Sequence, residues 1–169
     1  MLIGVISDTH DAILEARSAI KFFKDKKVEA IIHAGDFTSQ DTAKEFLGSG
    51  IPFYAVLGNN DPRKMGPADI SHGTIKEPPY YLILDKRSLL IIHDEKEIDL
   101  DKESTIMDVI ICGNTHKPRI EKKNRALILN PGEGCGLMTS HATIAILDLD
   151  TLEAQIHELE DVYQKGEQK

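Results

Sequence analysis

Apolar residues fall in short runs separated by polar turns. Leu2 to Ser7 (LIGVIS), Val28 to His33 (VEAIIH) and Pro52 to Leu57 (PFYAVL) predict three buried strands. Between them, Ala12 to Lys27 spaces Ile13, Ala16, Ile20 and Phe23 three and four residues apart, which predicts an amphipathic helix. Thr38 to Leu47 predicts a second helix, with Thr38 or Ser39 as its N-cap and Gly48 near its stop. This strand–helix alternation implies a parallel sheet with right-handed crossovers. Residues Arg63 to Pro79, rich in Pro, Gly and His, predict a loop holding at most a short helix.

After that loop the pattern turns to strands. Tyr80 to Leu84 and Ser88 to His93 flank Asp85-Lys86-Arg87 as a hairpin, and Ile106 to Cys112 predicts a strand. Arg119-Ile120 with Ala126 to Leu129 predicts a short hairpin, and Thr143 to Leu149 with Leu152 to Leu159 predicts the last one. The expectation is one α/β domain over residues 1–160, two sheets packed face to face with helices outside, and a polar tail over 161–169.

Composition narrows the partners. A net charge of −8 disfavours nucleic-acid polymers, whose phosphate backbones need a basic surface. The chain has no tryptophan to offer as a base-stacking platform. Cys112 and Cys135 are too few for a disulfide framework, and the first strand follows Met1 without a signal peptide. No apolar run reaches the roughly 20 residues that span a bilayer. A cytoplasmic protein without membrane contact is expected, and its late hairpin edges allow a homodimer.

The chemistry lies at the strand ends. The strands run into Ser7-Asp8-Thr9-His10, Ala34-Gly35-Asp36, Gly58-Asn59-Asn60-Asp61, His93-Asp94-Glu95 and Gly113-Asn114-Thr115-His116. Carboxylate, amide and imidazole at the carboxyl ends of strands suit a divalent cation. Each tip alone reads better as a turn or a helix cap; five together favour metal. In an extended tip, residues i and i+2 share a face, so Asp8 with His10, and Asn114 with His116, are expected to point at one centre. Glycines 35, 58 and 113 are expected to permit sharp turns and close backbone approach.

The ordered set Asp8-x-His10, Gly35-Asp36, Gly58-Asn59-x-Asp61, His93 and Gly113-x-Thr115-His116 resembles the calcineurin-like metallophosphoesterases, in particular their small prokaryotic phosphodiesterases. Asn130-Pro131-Gly132 is similar to a late turn of that subfamily. The resemblance implies a four-layer α/β/β/α sandwich of two mixed sheets, and a metal-dependent phosphoesterase, expected to be a phosphodiesterase. It implies that Asp8, His10, Asp36 and His116 hold one metal. Asp36 would bridge to a second, held also by Asn59, His93 and Asn114, and a bridging hydroxide would attack a small phosphoester. The same fold also serves as a scaffold in the retromer complex, and a mononuclear metal protein is a third possibility.

Three departures from the family shape the expectations. Asn114 replaces a histidine of the Gly-His-Thr-His motif, so the second metal is expected to be held more weakly and to be Mn²⁺, ahead of Ni²⁺, Co²⁺, Zn²⁺ or iron. Asp94 follows His93 and reads either as a partner of a ligand or as a solvated acid; the acidic run through Glu95 and Glu97 favours the solvated acid. Asn60 stands where larger relatives carry a catalytic histidine, which leaves no general acid for an alkoxide. Asp61 is expected to support the site without binding metal. His33 is expected to pack beside the site and Cys112 to face the core; Arg63 and Lys64 read as contacts to substrate phosphate or, in preference, as solvated surface charge.

Overall fold

The computed structural model describes residues 1–159 of the 169, so the tail read over 161–169 lies outside the described residues. The first half alternates as read: β1 (Leu2–Ile6), α1 (Ile13–Asp25), β2 (Ala30–His33), α2 (Gln40–Leu47) and β3 (Phe53–Val56). β1 pairs with β2, and β2 with β3, in parallel. The sheet is completed by β4 (Ile75–Lys76), β10 (Thr143–Asp148) and β11 (Glu153–Glu158), in the order β11-β10-β1-β2-β3-β4. A second sheet has the order β5-β6-β7-β9-β8, from β5 (Tyr80–Leu84), β6 (Arg87–Ile91), β7 (Val109–Ile111), β8 (Arg119–Lys123) and β9 (Ala126–Asn130).

Three apolar layers hold these elements together. Ile20, Phe23, Phe37 and Phe46 pack α1 and α2 onto the outer face of the first sheet. Ile3, Val5, Ile32, Leu89, Ile91, Val109 and Leu129 fill the space between the sheets. Leu90, Ile92, Ile110 and Ile128 face the other way, under α3 (Leu100–Ile106), with Leu100 packed against them. Successive residues of β6 therefore serve different layers, as a period of two requires. The central strands are covered on both faces, which explains why they read as unbroken apolar runs. The result is the expected α/β/β/α sandwich.

The structure corrects three local expectations. The strand read from Ile106 begins at Val109; Leu100–Ile106 is helical, started by the Asp99 side chain accepting from the Lys102 amide at 3.1 Å. The loop over 63–79 holds a short 3-10 turn at Pro67–Ile70, as allowed, and also β4, which pairs with β3 in parallel. Ser39 occupies the N-cap position of α2 without a side-chain capping bond.

Candidate metal centre

All five strand tips converge at the carboxyl ends of the two sheets. Backbone bonds join them: Asp8 N–H to Gly35 O (3.0 Å), His10 N–H to Asp36 O (2.9 Å) and Gly113 N–H to His93 O (3.0 Å). The tips are not extended. Asp8 (φ 52°), His10 (φ 45°), Asp36 (φ 63°), Asn114 (φ 62°) and His116 (φ 60°) all occupy the left-handed region. The extended geometry expected from i, i+2 spacing is therefore not met, although Asp8 and His10 do come together in one cluster. Each such residue costs of the order of 1–3 kcal/mol, a strain that persists where the surroundings over-determine it.

Glycine is required where the tips touch. A Cβ on Gly58 would lie 2.1 Å from Asp36 Oδ1, and one on Gly113 would lie 1.9 Å from Ser7 Oγ. Both contacts are with groups of the centre itself, so the close approach expected from sequence is met.

Two clusters of potential ligand atoms share one residue. Asp8, His10 and His116 form the first; Asp8, Asp36 and His93 form the second. In the first, Asp8 Oδ1 is buried without a hydrogen-bond partner, and His116 Nε2 stands 3.5 Å from it. Asp8 Oδ2 accepts from the Asn114 amide at 3.1 Å. Burial pushes the Asp8 pKa above its ordinary value. The rings of His10 and His116 stack at 5.7 Å between centroids.

The second cluster is knit more tightly. His93 is buried; its Nδ1 meets the Ala34 carbonyl at 2.7 Å, which turns Nε2 towards Asn59 Oδ1 (3.0 Å) and Asp36 Oδ2 (3.4 Å). A carbonyl on one ring nitrogen is the usual device for aiming the other at a metal. Burial works against charge on His93, but Asp36 and Asp8 overcome it and push its pKa up to about 9. Burial likewise opposes charge on Asp36, yet His93 and Asn60 hold its carboxyl well below the usual range. Asn60 donates to Asp36 twice, from its backbone at 2.9 Å and from Nδ2 at 2.7 Å.

Several supporting residues are clearer here than in the sequence. Asp61 is buried, and its carboxylate accepts from the backbone amides of Asp36 (2.9 Å), Phe37 (2.8 Å), Thr38 (2.7 Å) and Gly58 (2.8 Å). It ties the second tip to the third, with its carboxylate taken up by these four amides. His33 accepts from Gly35 N–H at Nδ1 (3.1 Å) and meets Thr9 Oγ1 at Nε2 (2.9 Å), so both nitrogens are occupied. Cys112 is buried, and burial raises its thiol pKa to about 12.

Two surface assignments change. Asp94 is no freely solvated acid: Oδ2 accepts from Asn114 Nδ2 at 2.9 Å, and Oδ1 caps a 3-10 turn through the Lys96 amide at 3.0 Å. Arg63 braces the third tip, donating to Gly58 O (2.7 Å) and Asp61 O (2.6 Å) while Nε pairs with Glu77 at 2.9 Å. Glu133 went unread. It follows β9 through Asn130-Pro131-Gly132, is fully buried, and places Oε2 3.3 Å from His116 Nδ1. Its signal was akin to that of the other five: an apolar strand handing a carboxylate, amide or imidazole to its carboxyl end.

Carboxylates and imidazoles at these distances, with one buried oxygen lacking a partner, fit a divalent cation and leave thiolate chemistry aside. Among the described residues no helix is long and apolar enough to cross a membrane. Residues 1–152 match the calcineurin-like phosphoesterase superfamily domain. A phosphodiesterase of Methanocaldococcus jannaschii is 36% identical over 159 residues, spanning 90% of this chain and 96% of that protein. A solved archaeal phosphodiesterase superposes with a TM-score of 0.84 at 35% identity, covering 94% of this chain and 99% of that one. Vps29 of Entamoeba histolytica, solved with zinc, has a TM-score of 0.65 at 17% identity, covering 94% and 91%, and shares the fold alone. The chain belongs to the calcineurin-like phosphoesterase superfamily.

Proposed function

We propose that the protein is a phosphodiesterase that works with two divalent cations at the carboxyl ends of its sheets. As a member of its superfamily it is a metal-dependent phosphoester hydrolase; the cation number, the ligand set and the diester preference are our reading. The observation that carries it is a pair of adjoining carboxylate–imidazole clusters, Asp8–His10–His116 and Asp8–Asp36–His93, with Asp8 Oδ1 buried and without a partner. Our ligand set departs from the bare clusters in making Asp36, not Asp8, the residue that serves both cations.

Asp8, His10, Asp36 and His116 take one cation in this reading. Asp36 also serves the second, together with Asn59, His93 and Asn114. Bound there, the cations would supply Lewis acidity and a water of lowered pKa. The chain's own residues do the rest. The Ala34 carbonyl aims His93, four backbone amides fix the Asp61 carboxylate, and Asp94 accepts from Asn114 Nδ2, which leaves the Asn114 oxygen as the atom that would serve a cation. Two amides among the ligands favour Mn²⁺ over the softer ions.

Asn60 supports the diester preference. Its side chain is committed to Asp36 and cannot donate a proton to a leaving alkoxide. Activated diesters with acidic leaving groups are therefore the best substrates. The test is hydrolysis of an activated phosphodiester across Mn²⁺, Ni²⁺, Co²⁺, Mg²⁺ and Zn²⁺, with Asp36→Asn as control. We expect the fastest turnover with Mn²⁺ and none in the variant. No hydrolysis with any cation would sink the enzyme reading and favour a scaffold role on the same fold.

A further inference from the structure

We infer that Glu133, outside the ligand set proposed above, is the positioning residue that fixes the ring of His116 for its cation; the inference rests on the two-cation reading. Glu133 lies just beyond β9, and its side chain is completely buried. A buried carboxylate is expensive unless it is surrounded by donors. Oε1 accepts from the Met138 amide at 2.5 Å and contacts Cys135 Sγ at 3.3 Å; Oε2 accepts from the Thr139 amide at 3.0 Å. The remaining neighbour of Oε2 is His116 Nδ1, at 3.3 Å.

The backbone around Glu133 is anchored to the centre. Its carbonyl accepts from Thr143 N–H at 2.8 Å, and the next two amides donate to Ser7 O (2.8 Å) and Asp8 O (3.3 Å). The carboxylate is therefore held in register with the tip that carries Asp8. On the far side of the imidazole, Nε2 stands 3.5 Å from Asp8 Oδ1. A neutral imidazole has one donor nitrogen and one acceptor nitrogen. Both ring nitrogens face a carboxylate; the shorter contact is at Nδ1, which favours the proton there and leaves the Nε2 lone pair facing Asp8, the arrangement that carboxylates impose on metal-binding histidines. The Nδ1 contact falls short of hydrogen-bond alignment in this structure. Such contacts commonly tighten only when the site is loaded. The competing role is purely structural, with Glu133 doing no more than anchor residues 138 and 139.

The experiment compares wild type, Glu133→Gln and Glu133→Asp, alone and in a His116→Ala background. In metal-free protein, nitrogen-15 NMR of the His116 ring, at a pH where it is neutral, reads the tautomer directly. The Nδ1-protonated form is expected in wild type and in Glu133→Asp, and its loss in Glu133→Gln. Competition with a zinc chelator then reads affinity. Glu133→Gln should weaken the cation at Asp8, His10 and His116 by about tenfold to a hundredfold, with part of this recovered in Glu133→Asp. In the His116→Ala background the same change should add no more than about twofold. An unchanged tautomer, or an equal loss of affinity without His116, would overturn the inference and leave Glu133 a loop anchor. If wild-type protein binds no zinc, the two-cation reading fails on that result, and the tautomer alone decides whether Glu133 governs His116.

Discussion

Two aspartates at opposite ends of the sheets are treated in opposite ways. Asp108, just before β7 at the amino end, accepts from Ser88 N–H (2.9 Å), Ser88 Oγ (2.8 Å) and Arg125 (2.7 Å). Burial opposes its charge, but these donors prevail and hold its pKa near 2. Asp8, at the carboxyl end, is buried more deeply, keeps one oxygen without a partner, and has its pKa raised by burial. The amino end satisfies its charges within the protein. The carboxyl end concentrates carboxylates and left-handed backbone and leaves part of that charge for a cation. One end contributes stability, and the other gives it up for chemistry.

The largest effect that sharpens this contrast is at Asp8. Asp8→Asn should lower kcat/KM for an activated diester by more than about a hundredfold, beyond the range typical of residues that only orient ligands. The same change should leave the metal-free protein at least as stable, because it removes a poorly compensated buried charge. A fall in the metal-free Tm would break the comparison.

Asp108→Ala should do the reverse. Loss of its three bonds should destabilise by about 1–2 kcal/mol, read by denaturant unfolding, with kcat/KM unchanged. Its pH dependence has a definite sign. The folded pKa lies below the ordinary value, so ionised Asp108 stabilises the fold above pH 3.8, and the contribution is lost as pH falls from there towards 2. Wild type should therefore lose its advantage over Asp108→Ala across that window. A constant difference between the two would contradict the assignment.

Asn114→His is expected to have the smallest effect. Exchanging the amide for an imidazole should tighten the weaker cation several-fold and shift preference from Mn²⁺ towards Zn²⁺. Metal content after dialysis checks it; unchanged stoichiometry and preference would show that Asn114 does not face a cation.

Much of this was legible in the sequence, for identifiable reasons. The central strands β1, β2 and β7 are covered on both faces, so their apolar runs were unmistakable, and the residues that follow them stood out by contrast. α3 was missed because it is seven residues long with apolar side chains only at Leu100 and Ile106, and its one clear signal is the Asp99 cap. β4 escaped because two residues carry no period. Asp8, His10 and His116 were picked out and do cluster, but their backbone was misjudged, since left-handed φ at these residues comes from tertiary contacts that sequence spacing does not encode. Glu133 was missed, and Asp94 was weighed towards solvent, for a related reason: their partners, His116 and Asn114, come from other strand tips.

The most direct test of the central claim is thermal unfolding of chelator-treated protein with and without Mn²⁺. A ligand that binds only the folded state at a hundred times its Kd stabilises it by about 2.7 kcal/mol. Wild type and Asp108→Ala should both gain stability on that scale, and Asp36→Asn should gain almost none. An equal gain in Asp36→Asn, or no gain in wild type, would show that the charge left at the carboxyl end is not there for a cation.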